Sequence, residues 1–87
     1  MWLITIMNVL RDIKDNECRD DKIVGVDREQ LLSYRHIRKW WKPTHVAKVD
    51  HAIRKLLSRE WIIREEKDNV VLYSTTPQGR DMLKASK

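Results

Sequence analysis

Residues 44–76 read THVAKVDHAIRKLLSREWIIREEKDNVVLYSTT, and this stretch decides the fold. Val46, Val49, Ile53, Leu56 and Leu57 recur at the spacing that places side chains on one face of a helix. The opposite face carries His45, Lys48, His51, Lys55 and Arg59, with Arg54 and Ser58 on its flank. The helix is expected to end near Glu60. Beyond it, residues 61–66 and 70–75 are rich in Ile, Val, Thr and Tyr, as strands are. Lys67-Asp68-Asn69 supplies a turn between them, because Asp and Asn tolerate the left-handed backbone of a tight hairpin. The stretch is an amphipathic helix, basic on its outer side, that runs straight into a two-stranded hairpin.

Working outward, Pro43 stops the preceding helix, since the residue before a proline disfavours helical backbone. Thr44 is then expected to be the N-cap of the 44–60 helix. The preceding helix opens at Asp27, which forms a capping box with Gln30 just before Leu31 and Leu32. Its pattern runs on through Tyr34, Ile37, Arg38, Trp40 and Trp41, long enough to accommodate a break near residues 33–36. Residues 23–26, a short apolar run with Gly25, read as a brief strand that can pair with the hairpin. Residues 16–22 (NECRDDK) read as a solvated loop; the alternating acids, central Gly and terminal Glu of a calcium-binding EF-hand are absent.

Residues 1–15 read as a first helix, with Trp2 or Leu3, Ile6, Val9 or Leu10, and Ile13 on one stripe and Arg11, Asp12 and Lys14 on the other. Its start is apolar over more than one stripe, which fits either simple burial or a second face against another subunit. At the far end, Thr76 caps a last helix with Pro77 at its first position, where the missing N–H does no harm. Met82 and Leu83 would pack back on the fold. The expected order is helix, short strand, helix, helix, two-stranded hairpin, helix, in one α+β, mostly helical domain over 1–87.

Eighty-seven residues leave room for one modest core. The formal charge of +5 is unevenly placed: residues 1–27 hold four Lys/Arg against six Asp/Glu, and residues 28–87 hold fourteen against seven. Between Arg35 and Arg59 lie eight basic residues (Arg35, Arg38, Lys39, Lys42, Lys48, Arg54, Lys55, Arg59) and one acid, Asp50. Such a cluster suits a polyanionic partner, because neutralising phosphates releases their counterions. Cys18 is the single cysteine, so neither an internal disulfide nor a CxxC metal site is available. The N-terminal MWLITIMNVL lacks a basic start and a cleavage site, and falls short of the ~20 residues a bilayer span needs. A cytoplasmic protein without membrane association is expected.

The segment AIRKLLSREWIIREEKDNVVLYSTTPQGRDML resembles the winged-helix regulators of the MarR, PadR and ArsR kind. It looks like their recognition helix ending in Leu, two-strand wing, and closing "Leu-Thr-Pro-x-Gly-Arg", here Tyr73-Ser74-Thr75-Thr76-Pro77-Gln78-Gly79-Arg80. Val26-Asp27-Arg28-Glu29-Gln30-Leu31 likewise resembles the opening of their second helix, and the likeness spans about residues 24–83. It implies a winged helix-turn-helix fold and a small DNA-binding transcription regulator of the archaeal or viral kind. Three features depart from that pattern. Glu60-Trp61 stands where a Gly is usual, residues 35–43 are longer than the usual tight turn, and the wing tip offsets Arg64 and Lys67 with Glu65, Glu66 and Asp68.

The expected partner is double-stranded DNA, with helix 44–60 in the major groove. His45, Lys48, Asp50 and His51, near the N-terminal end, would reach base edges, Arg54, Lys55 and Arg59 would meet phosphates, and Thr44 is counted with them among the DNA-binding residues. Arg35, Arg38, Lys39 and Lys42 could grip flanking phosphates, and Arg64 and Lys67 belong to the wing. A homodimer is expected, since a symmetric pair reads two half-sites, with Trp2, Leu3, Ile6 and Met82 as dimer contacts. Trp40 and Trp41 are either core or interface. The alternatives are a protein-interaction module anchored by Trp2, Trp40, Trp41 or Trp61, or a single-strand binder that stacks bases on Trp. His36, His45, His51 and Cys18 lack metal-ligand spacing, so no cofactor is expected. No nucleophile with its base, carboxylate pair or Gly-rich phosphate loop stands out, so the chain reads as a non-enzyme.

Overall fold

The computed structural model describes residues 6–34 and 43–85. In chain order these form α1 (Ile6–Asn16), β1 (Cys18–Arg19), β2 (Lys22–Ile23), α2 (Arg28–Tyr34), α3 (Pro43–Ser58), β3 (Ile62–Lys67), β4 (Val70–Thr75) and α4 (Pro77–Ala85). The result is a small α+β domain with two separate two-stranded antiparallel sheets, β1–β2 and β3–β4. The first five residues of the expected first helix, and the continuation of the second through Trp40 and Trp41, lie outside the described residues.

α1 is the centre of the core. Val9, Leu10 and Ile13 are fully buried on its inner stripe, and the helix packs against α2, α3, β4 and α4. They meet Leu31 of α2, Val49, Ala52, Ile53 and Leu56 of α3, Ile62 of β3 and Leu83 of α4. An isolated helix of this length is marginal in water. Burial at about 1.5–3 kcal/mol per large apolar side chain, rather than intrinsic propensity, therefore holds it.

The joints between elements follow local sequence chemistry. At α2 the capping box is complete: the Gln30 N–H donates to Asp27 Oδ1 at 2.7 Å, and the Asp27 N–H donates to Gln30 Oε1 at 3.0 Å. Val26 then exchanges two backbone hydrogen bonds of 2.8 Å with Tyr73, so the 23–26 segment reaches the outer edge of β4 through a single bridge. Gly25 has φ +96°, and a Cβ there would stand 3.0 Å from Leu72 Cβ and 3.1 Å from the Tyr73 carbonyl oxygen. Only glycine suits both the backbone and the gap. The β3–β4 hairpin turns through Asp68 and Asn69, both left-handed at φ 52° and 65°, with Lys67 paired to Val70.

Two expectations are corrected here. Pro43 is the first residue of α3, so Thr44 lies within the first turn instead of capping it; proline's fixed φ and missing N–H suit that position. Residues 16–22 are not a plain solvated loop. Asp20 and Asp21 take left-handed backbone (φ 52° and 65°) and close the β1–β2 hairpin. Just before it, Glu17 is 3% exposed. Its carboxylate accepts from the Thr75 N–H at 2.7 Å and from Thr75 Oγ1 at 2.8 and 2.9 Å, and its carbonyl accepts from the N–H groups of Val24 and Gly25. A polar group is taken out of water, and its hydrogen-bonding capacity is satisfied in exchange. Through Glu17, the end of α1 is tied to the end of β4.

The α3 end is made without glycine. Glu60 takes left-handed backbone at φ 61°, its N–H bonds the Leu57 carbonyl at 3.1 Å, and the Trp61 N–H bonds the Leu56 carbonyl at 3.0 Å. These are the paired bonds of a Schellman cap. Thr76 then locks the next joint: its Oγ1 donates to the Glu60 carbonyl at 2.6 Å and accepts from the Gly79 N–H at 3.1 Å, capping α4 as expected. A Cβ on Gly79 would fall 2.1 Å from the Trp61 carbonyl oxygen, so α4 can lie on the α3–β3 joint only because residue 79 is Gly.

Candidate nucleic-acid interface

α3 buries Val49, Ala52, Ile53 and Leu56, and that stripe determines what its other side presents. Thr44, Ala47, Lys48, His51, Arg54, Lys55 and Ser58 are all exposed, while His45 is half-buried. The cations Lys48, Arg54 and Lys55 therefore stand together with His51 on one solvent-facing surface. Arg59 lies just past the helix end, its guanidinium 5.1 Å from the centroid of the Trp61 ring. This cation–π stack holds Arg59 at the α3–β3 joint and covers one face of a half-buried Trp61.

Asp50, the one acid of α3 and an expected base reader, is paired with a neighbouring element. Arg28, the first residue of α2, grips it with a two-pronged fork: Nε to Oδ1 at 2.7 Å and NH2 to Oδ2 at 3.0 Å. The third guanidinium nitrogen, NH1, reaches Glu29 at 3.3 Å. The hydrogen bond to Asp50 is the main reason the Arg28 pKa is held above its ordinary value, against a smaller opposing effect of burial. The two side chains are 43% and 36% exposed, so solvent screening limits the pair to under about 1 kcal/mol of stability. Its larger effect is on charge: the negative group of α3 is neutralised from a neighbouring element.

The Arg28–Asp50 fork forms one wall of an open cleft of about 380 Å³ between α3 and the hairpin, lined also by Ile53, Arg54, Leu57, Arg64 and Tyr73. Arg64 stands opposite Tyr73 in the β3–β4 register and so faces α3 across this cleft. Arg54 and Arg64 form no ion pair among the described residues. Lys67 is exposed at the hairpin tip beside Glu66 and Asp68, leaving the tip close to neutral.

The structure thus brings Arg54 and Arg64 to one cleft, while Lys48, His51 and Lys55 are exposed on α3 outside it, with Thr44 and His45 at the helix start. Arg35, His36, Arg38, Lys39, Lys42, Trp2 and Leu3 lie outside the described residues. Of the remaining expected dimer contacts, Ile6 is half-buried against the core and Met82 is 38% exposed on α4. Arg28 was not singled out by sequence reasoning, because no local pattern signals a partner 22 residues away. No described helix is long and apolar enough to cross a membrane. No protein-family model matches the chain, and no curated protein sequence matches it.

Proposed function

We propose that the protein is a winged-helix DNA-binding regulator that reads duplex DNA with α3 in the major groove and acts as a homodimer. The observation that carries this reading is the neutralisation of Asp50 by Arg28, which leaves the outward face of α3 to Lys48, His51, Arg54 and Lys55. A helix fits the major groove, and cations along it neutralise phosphates while the residues of its first turns reach base edges. The order of elements supports the fold assignment: three helices, a hairpin after the third, and a one-residue bridge from the segment before α2 to the hairpin's outer strand. Arg64 across the cleft fits a hairpin that contacts the backbone beside the groove, whereas the near-neutral tip argues against its deep insertion.

The test is fluorescence anisotropy with a labelled random-sequence duplex over a series of salt concentrations. Lys48→Ala with Lys55→Ala removes two exposed charges without touching the core. The double variant is expected to bind more weakly, with a salt slope shallower by about 0.9 for the phosphate contact of Lys55. Undiminished duplex binding by the folded variant sinks the reading.

A protein-interaction module is the second reading, favoured by Ile63 (51% exposed) and Val70 (44% exposed) on the hairpin. Of its proposed Trp anchors, Trp61 is half-buried and capped by Arg59, which weakens that role. A folded protein with no duplex affinity at low salt would favour this alternative.

A further inference from the structure

A second group of cations lines a cleft that shares no residue with the one beside α3. Arg11 and Lys14 of α1 and Arg80 and Lys84 of α4 line an open cleft of about 310 Å³, with Leu83 at its floor and Asp15 as its one carboxylate. No ion pair among the described residues joins Asp15 to any of the four. Four like charges around one small cleft repel each other, and a bound anion would relieve that repulsion.

The cleft is also anchored. Arg80 NH1 donates to the Thr75 carbonyl and to Thr75 Oγ1, both at 3.2 Å, and Thr75 is itself held by the buried Glu17 carboxylate. One edge of the guanidinium is thereby fixed from the protein side. Its Nε and NH2 make no hydrogen bond among the described residues, which suits the two-pronged capture of a phosphate. Arg11, Lys14 and Lys84, all exposed, supply flexible charge around that fixed point.

We propose that the α1–α4 cleft is a second phosphate-binding site, taking the backbone of a nucleic-acid strand at a position that α3 and the hairpin do not reach. The cleft is open, which suits a strand passing through more than an enclosed small molecule. The apolar floor at Leu83 suits the sugar face between phosphates. This inference rests on the duplex-binding reading for its partner but on different residues for its site, so the two fail separately.

The experiment compares three folded double variants with the wild type by anisotropy on a random-sequence duplex across a salt series. Lys14→Gln with Lys84→Gln empties the proposed cleft of two charges. Arg19→Gln with Lys22→Gln removes the same charge from the exposed β1–β2 hairpin, and Lys48→Ala with Lys55→Ala addresses α3. The cleft variant is expected to bind tens of fold more weakly at moderate salt, with a slope shallower by about 1.8, and the hairpin variant much less so. Equal effects from the cleft and hairpin variants reduce the cleft to bulk charge and overturn the proposal. A cleft variant that binds like the wild type overturns it while the α3 reading stands. Weakening by the cleft variant but not by the α3 variant supports the cleft and removes α3. A wild type that binds no duplex overturns both.

Discussion

Replacing Glu60 by glycine should stabilise the protein, although it shortens a side chain and adds freedom to the unfolded chain. Glu60 sits at φ 61° in the Schellman cap of α3. Left-handed backbone costs a residue with a Cβ roughly 1–2 kcal/mol, and glycine avoids that cost. Two effects could offset the gain. The Glu60 side chain is exposed and makes no hydrogen bond or ion pair among the described residues, so little is lost there. The hydrogen bond it does join, from Thr76 Oγ1, uses its backbone carbonyl and survives the substitution. The second offset is glycine's larger unfolded-state entropy, of order 0.5–1 kcal/mol. The net expectation is a gain of about 0.5–1 kcal/mol, or several degrees in melting temperature for a domain of this size. Urea denaturation followed by circular dichroism measures it, and Glu60→Ala serves as a control that keeps the Cβ and should show no gain. A Glu60→Gly variant less stable than the wild type, or a matching gain from alanine, would refute the strained cap.

Other substitutions probe the remaining joints. Gly79→Ala places a Cβ 2.1 Å from the Trp61 carbonyl oxygen, both partners being backbone-fixed, and should cost about 3 kcal/mol or more in a chemical denaturation curve. Glu17→Ala strips the acceptor from the Thr75 N–H and hydroxyl, two groups in a buried site. At about 1–3 kcal/mol per stranded group, a loss of about 3 kcal/mol is expected in the same assay, and a loss under about 1 would mean that water or a shifted side chain replaces the carboxylate. Arg28→Met and Asp50→Asn break the same half-exposed fork, so each should alter stability by no more than about 1 kcal/mol. Their effects on duplex affinity should be opposite, weaker for Arg28→Met, which unmasks a negative charge on α3, and stronger for Asp50→Asn, which releases a positive one. Anisotropy at low salt reads the sign, and a shared direction would remove the fork from the electrostatics of this surface.

What could be read from the sequence was mostly what short-range chemistry controls. The α3 stripe, the capping box at Asp27 and Gln30, the hairpin turn at Asp68-Asn69 and the Thr76-Pro77 start of α4 each depend on residues within a few positions of one another. The readings that changed involve a competing interaction from elsewhere. Residues 16–22 look like a loop because their acids suggest solvent, yet Glu17 is paired with a threonine 58 positions away. Thr44 looks like a cap because threonine suits that role, but the helix begins one residue earlier at Pro43, where proline is equally suited.

The same distinction applies to the candidate site. Helical periodicity places Lys48, His51, Arg54 and Lys55 together on one exposed surface, and it also makes Asp50 look like one more polar group on that helix. Periodicity fixes the direction a side chain leaves its helix but says nothing about what stands there to meet it. Asp50 leaves α3 toward α2, and a guanidinium offering two parallel donors meets it, so its charge is cancelled before any ligand arrives. The charge of a helical face is therefore a tertiary property: the basic surface of α3 depends on Arg28 as much as on its own lysines. In the same way, Arg80 can present a fixed edge in the α1–α4 cleft only because a buried glutamate on the far side of Thr75 holds the threonine that holds it.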